Sequence, residues 1–552
     1  MDHEPVGPPG TPSLLRAIND RTALRLLADR GPLSRTQLGA LAGLSKPTAS
    51  QLMDRLEAAG LVEPVPELES EAAQHAVMQH GAVQYSAEQH VAVQRGGSQA
   101  SVRRSGAVSS GAAPLGAVSS GAVPSGAARS SAAPFGASQP GDSQSGAAQP
   151  SSATPGPGTP GRTARRYRLR GGAAHVAGLD VTSARIVARV CDLAGSVVGE
   201  ATLPTPGRSA TGTVDRVREA LAAACAPAGL QLAALHHAVI GIGGAIDPGT
   251  GRLGFARHLP GWHEPDLLAR LRTELTPPGA PNPRVDVEND VNLAAVAEQT
   301  VGAAAPGGPG DPHPGARDFV VLWIAEGIGA AVVIDGRLHR GATGGAGEVG
   351  YMPVPGAPLV RSIGRGTTGG FQALAGGPAV LKLARRHGFT GAEPQIAVAR
   401  AAEVVEASAR SGASGVSGVS GAAGASGTSD APGTPAAQDT AQDSAQDAAQ
   451  AARRLLAELA DRLATGLAPI VAVLDPELIV LTGAILRAGA APLRELIAEV
   501  LHGMAIPRPR LVTSAVADNP VLAGAIQAAL AATREAVFSS TLPSSTSVST
   551  TA

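Results

Sequence analysis

Residues 319–354 read FVVLWIAEGIGAAVVIDGRLHRGATGGAGEVGYMPV, and the fold is decided in this stretch. Two apolar runs flank the turn Glu326-Gly327-Ile328-Gly329, and Asp335-Gly336 supplies the residue types of a tight hairpin turn. A Gly-rich segment carrying Glu348 follows. Downstream, PIVAVLDPELIVLTGAIL predicts strands over 470–474 and 478–481 with a turn at Gly483. Upstream, VDVENDVNLAAVAEQTV (285–301) reads as a strand through Val285 and Val287 that ends at Glu288-Asn289-Asp290, with a helix from Asn292 onward. Polar residues at a strand's carboxyl end, beside a helix N-terminus, suit a small polar ligand. Asn289 or Asp290 could equally be a plain helix cap.

Further upstream, Leu235 to Ile242 is a strand entering GIGGAIDPGTGRL, where Gly241, Gly243 and Gly244 permit close backbone approach. In AHVAGLDVTSARIVARVCDLAGSVVG (174–199), a strand ends at Asp180, a second runs from Ala184 to Val190, and Asp192 with Gly195 turns into a third. Strands alternating with helical stretches give an α/β class.

The rest of the chain divides by composition. Its 552 residues are too many for one core, so two or three domains are expected. Residues 66–160 and 411–450 are low-complexity Ser, Gly, Ala, Pro and Gln, and ordering them would go uncompensated. The repeat AQDTAQDSAQDAAQ either extends the helix beginning near Ala451 or stays irregular. Residues 535–552 are expected to fray. The formal net charge of -1 leaves no global positive field, so any DNA contact must be local. Two distant cysteines, Cys191 and Cys225, argue against a disulfide framework. MDHEPVGPPG is not a signal peptide, and no uninterrupted apolar run reaches about 20 residues. A cytoplasmic protein without a membrane partner is expected, nucleoid-associated when on DNA.

Residues 12–65 have helical periodicity. Leu14, Leu15, Ile18, Leu24, Leu27 and Ala28 form one face of a first helix, ended by Gly31-Pro32. Ser34 with Gln37 makes a capping box for a second, with Leu38 and Leu41 inward. Ser45 caps a third, KPTASQLMDRLEAAG, whose inner stripe is Leu52, Leu56 and Ala59. Two short helices joined by a tight turn form a helix-turn-helix. Its recognition helix offers Ser45, Lys46, Thr48, Ala49 and Gln51 to a duplex. Residues 61–65 read as a strand, and GRTARRYRLR (161–170) reads as its return strand, with Arg162, Arg165, Arg166 and Arg168 available to phosphates. The block 66–160 is then an insertion at a wing tip, where hairpins tolerate length. With five acidic residues against four arginines it should add little phosphate affinity.

Taken in order, LSRTQLGALAGLSKPTASQLMDRLEAAGLV, GRTARRYRLR, GIGGAIDPGTGRL, VENDVNLAAVAE, residues 326–354 and LDPELIVLTGAI resemble the ROK family of bacterial repressors and sugar kinases, in its regulator branch. The resemblance implies a winged helix-turn-helix (12–65 and 161–170) followed by a two-lobed, actin-like sugar-kinase domain (174–408 and 451–534). It implies that Asp290 is the base of the kinases, and that Asn289, Asp290, Glu348, Tyr351 and Gln372 contact sugar. Tyr351 and Gln372 stand where the family has histidine and glutamate. The family's zinc positions read Tyr351, Ile363, Arg365 and Gly370, so no metal and no cofactor is expected. The family's nucleotide site falls at Asp180, Glu326, Gly327 and Gly329. Val181 and Ser183 replace glycine-like positions there, and Glu326 sets a carboxylate near the phosphates. The expectation is therefore a non-enzymatic regulator, a repressor whose hold on operator DNA responds to a sugar or sugar phosphate. Asp290 is vestigial in that reading, and a homodimer or homotetramer is expected. The alternative is an ATP-dependent sugar kinase of glucokinase or N-acetylhexosamine kinase type with an accessory DNA-binding head.

Overall fold

The computed structural model describes residues 12–66, 165–205, 212–247, 266–275, 284–307, 314–361, 369–416 and 435–540, with 250, 253–254, 259 and 262 between them. The expected insertion at 66–160 lies outside the described residues except for Pro66.

The head is built from α1 (Pro12–Arg30), β1 (Leu33–Ser34), α2 (Arg35–Leu41), α3 (Lys46–Ala58), β2 (Val62–Pro64) and β3 (Arg166–Leu169). Ser34 and Gln37 close a capping box on α2, and Ser45 caps α3, whose Pro47 falls in the first turn, where a missing N–H costs little. β3 lies between β1 and β2, antiparallel to both, with Val62 opposite Leu169 and Pro64 opposite Tyr167. Leu24, Leu38, Leu52, Met53 and Leu56 close over Tyr167 and Leu169. Arg35 binds the assembly at one point, donating to Ser50 Oγ at 2.8 Å, Asp54 at 2.6 Å and the Tyr167 hydroxyl at 2.7 Å.

Five apolar assignments in the head are corrected. Leu14, Leu15 and Ile18 are exposed by 46, 57 and 51%, and Leu41 by 43%. The phase of α1 is set by Leu24 and Leu27, which puts Ala17 and Ala23 on the buried stripe. Ala59 is likewise exposed, while Met53 fills the core beside Leu52.

The body has two lobes of the same topology. In the first, β4 (His175–Val181), β5 (Arg185–Asp192) and β6 (Val197–Pro204) form an antiparallel meander. β7 (Leu235–Ile242) and β8 (Arg284–Asn289) extend it in parallel, giving the order β8-β7-β4-β5-β6. The helices of this part are α4 (Thr213–Cys225), α5 (Leu267–Glu274) and α6 (Asp290–Val301). The second lobe repeats the plan with β9 (Phe319–Ile324), β10 (Ile328–Ile334), β11 (Arg337–His339), β12 (Leu478–Thr482) and β13 (Arg510–Thr513), in the order β11-β10-β9-β12-β13. Its helices are α7 (Gly370–Ala375), α8 (Gly377–Arg386), α9 (Pro394–Val416), α10 (Pro435–Leu474) and α11 (Ala484–Met504). The expected α/β class, with a winged head and an actin-like two-lobed body, is the observed one.

Residues 470–474, expected as a strand, are the end of the 40-residue helix α10. A short apolar run reads alike in a buried helix and a buried strand, and the tie is broken here by the helix already under way. That helix also takes in the AQD repeats, whose alanines favour helix. The low-complexity block expected over 411–450 is accordingly narrower, because α9 runs to Val416 and α10 starts at Pro435.

The last helix, α12 (Pro520–Ser539), packs on β4, β7 and α6. Contact is close: a methyl group on Gly524 would meet the Leu293 carbonyl oxygen at 1.8 Å, and one on Gly178 would meet Ile526 at 3.0 Å. Among the described helices it is the one long and apolar enough to cross a membrane, and in this fold half of that stretch is buried inside the protein. The expected frayed tail from 535 is corrected, since Glu535 pairs with Arg21 and Arg25 of α1, and Phe538, 2% exposed, completes the head core together with Leu193.

Candidate functional site

A cavity of about 500 Å³ opens between the lobes, at the carboxyl ends of the central strands. The topology places ligands there, because the strand order reverses about β4 and β9 and leaves a crevice. Each lobe contributes its first hairpin turn, residues 182–184 between β4 and β5, and 325–327 between β9 and β10. Asp180, Asn289, Asp290, Glu326, Glu348, Tyr351 and Gln372 all line the cavity, as do Gly327 and Gly329. The fold thus gathers the nucleotide-site and sugar-site positions singled out in the sequence, drawn from segments up to 192 residues apart.

Asn289 does what a cap does. Its Oδ1 accepts from the Asn292 amide at 3.0 Å, and its Nδ2 donates to the Gly244 carbonyl at 3.0 Å. Asp290, the first residue of α6, is held beside it. Burial raises the Asp290 carboxyl to about 7; the Val291 amide draws it down, and the negative Asp180 and Glu348 push it further up. Burial also raises Glu348 and Asp180, the latter offset in part by Asn519, whose Nδ2 donates to it at 2.6 Å. Sequence reasoning missed Asn519. It caps α12 through Oδ1, and the signal available was an Asn before a Pro at a helix start.

The sign of the Asp290 shift makes a prediction. A buried carboxyl with a raised pKa favours the folded state below its unfolded value near 3.8, and that contribution is lost as pH rises through about 7. Asp290→Asn should therefore gain stability over the wild type at pH 8 relative to pH 4, read as the difference in urea midpoints at the two pH values. A constant difference would contradict the burial of this group.

The three residues expected to block nucleotide binding, Val181, Ser183 and Glu326, all line the cavity, with Ser183 exposed there. Val181, however, is 1% exposed and its side chain belongs to the core of the first lobe. Glu326 is exposed at the cavity rim, where solvent screens its charge. Of the former zinc positions, Ile363 and Arg365 lie outside the described residues.

On the head, Ser45, Lys46, Thr48 and Gln51 are exposed on α3. Ala49 is corrected: it is 1% exposed, against Gly39, and cannot reach a base. The wing arginines are also engaged within the head. Arg166 donates to the Pro32 carbonyl, Arg168 pairs with Glu63 at 2.9 Å across the ribbon, and Arg165 stands 3.8 Å from Glu57 and over the Tyr167 ring. Arg162 lies outside the described residues.

A duplicated α/β body with an acidic, asparagine-flanked cleft, joined to a three-helix head with a β-ribbon, defines a class that couples sugar-kinase-type architecture to a DNA-binding-type fold. The ROK family model matches residues 176–533, and the chain belongs to the ROK family. The MarR family model matches residues 18–69, the head. A glucokinase of Streptomyces coelicolor is 26% identical over 213 residues, 38% of this chain and 58% of that protein. An N-acetylmannosamine kinase of Escherichia fergusonii is 28% identical over 211 residues, 38% of this chain and 63% of its own. The chain thus matches less than two thirds of the length of either relative. The crystal structure of a ROK family transcriptional regulator, a homologue of the E. coli MLC protein, shares the fold over 96% of this chain at a TM-score of 0.53 and 15% identity. The expectation of a body without enzymatic capacity is overturned by the curated relatives, most of which are sugar kinases.

Proposed function

We propose that the body phosphorylates a sugar with MgATP and that the head binds DNA. The observation that carries the first part is Asp290, a carboxyl near pH 7 at the wall of a cleft it shares with Glu348 and Asp180. A general base works best when its pKa lies near the working pH. Asp290 takes the proton of a sugar hydroxyl as that oxygen attacks the γ-phosphorus. The bond from phosphorus to the β–γ bridging oxygen breaks, ADP leaves, and Asp290 later yields its proton to water. Glu348 and Tyr351, which line the same cavity, hold the other hydroxyls. The amides of Gly327 and Gly329, free of bulky side chains, can approach the phosphates, and Asp180 suits the magnesium that accompanies ATP. An ADP-release assay over hexoses and N-acetylhexosamines tests the reading, which predicts turnover rising from pH 6 to 8 as Asp290 deprotonates. No turnover with any of these sugars would sink it.

The second reading, a sugar-responsive regulator, is favoured by the exposed polar face Ser45, Lys46, Thr48 and Gln51 on the capped helix α3. Two copies would set two such helices on a palindromic site. Lys46→Ala should weaken binding to all duplexes alike and reduce the salt slope by about 1, since it removes one phosphate contact. A filter-binding titration across salt reads this, and an unchanged slope would remove Lys46 from the contact. If sugar weakens DNA binding, DNA must weaken sugar binding by the same factor.

A further inference from the structure

Gln372 sits where the family resemblance implies a sugar contact, yet both ends of its carboxamide are already used on backbone. Its Oε1 accepts from the Ile328 amide at 2.8 Å, and its Nε2 donates to the Glu326 carbonyl at 3.0 Å. One of these groups lies in the turn at 325–327 and the other directly follows it, and the turn's own closure is the Ala325 amide donating to the Gly327 carbonyl at 3.0 Å. A primary amide is the one side chain that offers a donor and an acceptor side by side to such a pair.

The surroundings are shaped to hold it. A methyl group on Gly376 would lie 2.4 Å from Gln372 Nε2, so glycine there leaves room for the carboxamide. The preceding Phe371 is fully buried, and its amide donates to the Met352 carbonyl at 3.0 Å. Gly370, at φ 61, donates to the Pro358 carbonyl at 2.8 Å. The main chain of α7 is thereby fixed to the segment that carries Glu348 and Tyr351, while the Gln372 side chain is fixed to the turn on the nucleotide side.

We propose that Gln372 is a positioning residue: it clamps the turn 325–327 and ties it to the Glu348 segment, so that nucleotide binding depends on Gln372 and sugar binding does not. This rests on the kinase reading for its ligands, and on geometry alone for the clamp. The test uses the full chain and two variants. Gln372→Met keeps the length and removes both hydrogen bonds, and Gln372→Glu keeps the acceptor for Ile328 and removes the donor to Glu326. In the unliganded protein, amide hydrogen exchange at Ile328 should rise at least tenfold in the Met variant and stay within threefold in the Glu variant. With glucose and MgATP as probes, both variants should raise the KM for MgATP tenfold or more and move the KM for glucose less than twofold. A tenfold rise in the glucose KM with MgATP unaffected would overturn the proposal in favour of a direct sugar contact. Unchanged exchange at Ile328 in the Met variant would overturn the clamp itself. Wild-type protein without turnover would defeat the kinase reading instead, and the exchange measurement would still decide the clamp.

Discussion

Asp290→Asn is expected to lower turnover of sugar and MgATP by about 10²- to 10⁴-fold, the range that a positioned general base supplies. Sugar affinity should move by only a few-fold, because an asparagine at 290 still accepts from the Val291 amide and still fills the wall of the cleft. The prediction is sharpened by what surrounds the group. Asn289 is occupied at both ends, by Asn292 and Gly244, and cannot take over as base. Asp180 is 6% exposed and bound by Asn519. Glu348 is raised by burial and lines the same cleft, so Glu348→Gln separates the two roles: it should weaken sugar binding more than it slows the step. Steady-state kinetics on the two variants, with sugar binding followed by calorimetry, gives the comparison. Full turnover in the Asp290 variant would remove this residue from the chemistry.

Phe538→Ala is expected to cost about 3–5 kcal/mol, the range for deleting a large buried aromatic side chain. The residue is 2% exposed and packs with Leu24, Leu56, Leu169 and Leu193 in the head core, although it lies 368 residues beyond Arg170, where the chain leaves the last head strand. The loss should concentrate in the head. Urea titration with hydrogen exchange as a local probe should find the amides of 23–56 opening before those of the body sheets. A change within 1 kcal/mol would mean that the helix end is a surface ornament on the head and not part of its core.

Much of this was legible in the sequence for physical reasons. The strands 235–242, 319–324 and 478–482 are apolar runs with a glycine or aspartate at one end, 175–181 closes on Asp180-Val181, and both head helices α2 and α3 open on a capping serine. What was not legible depends on neighbours distant in the chain. The phase of α1 is fixed by Tyr167 and Phe538, which no local window contains. The Val181 side chain is turned to the lobe core by the pairing of β4 with β5, where Val181 stands opposite Ile186. The use of Gln372 and Asn519 as backbone and carboxylate holders follows from turns that meet only after folding. Alternation places the wing arginines on one face, and their partners, Pro32 just before β1 and Glu63 in β2, come from segments whose pairing the sequence does not state.

The helix α12 starts at a residue bound to Asp180 in the cleft and ends inside the head, and its 20 residues span about 30 Å. The boundary drawn after residue 170 is therefore a boundary of sequence only. A head excised there would leave Ala174, Leu193 and Phe538 behind and expose the patch they cover. Any exchange of heads between such proteins, by recombination or by design, must carry the closing residues of the chain along with the opening ones, or graft matching apolar residues at the seam.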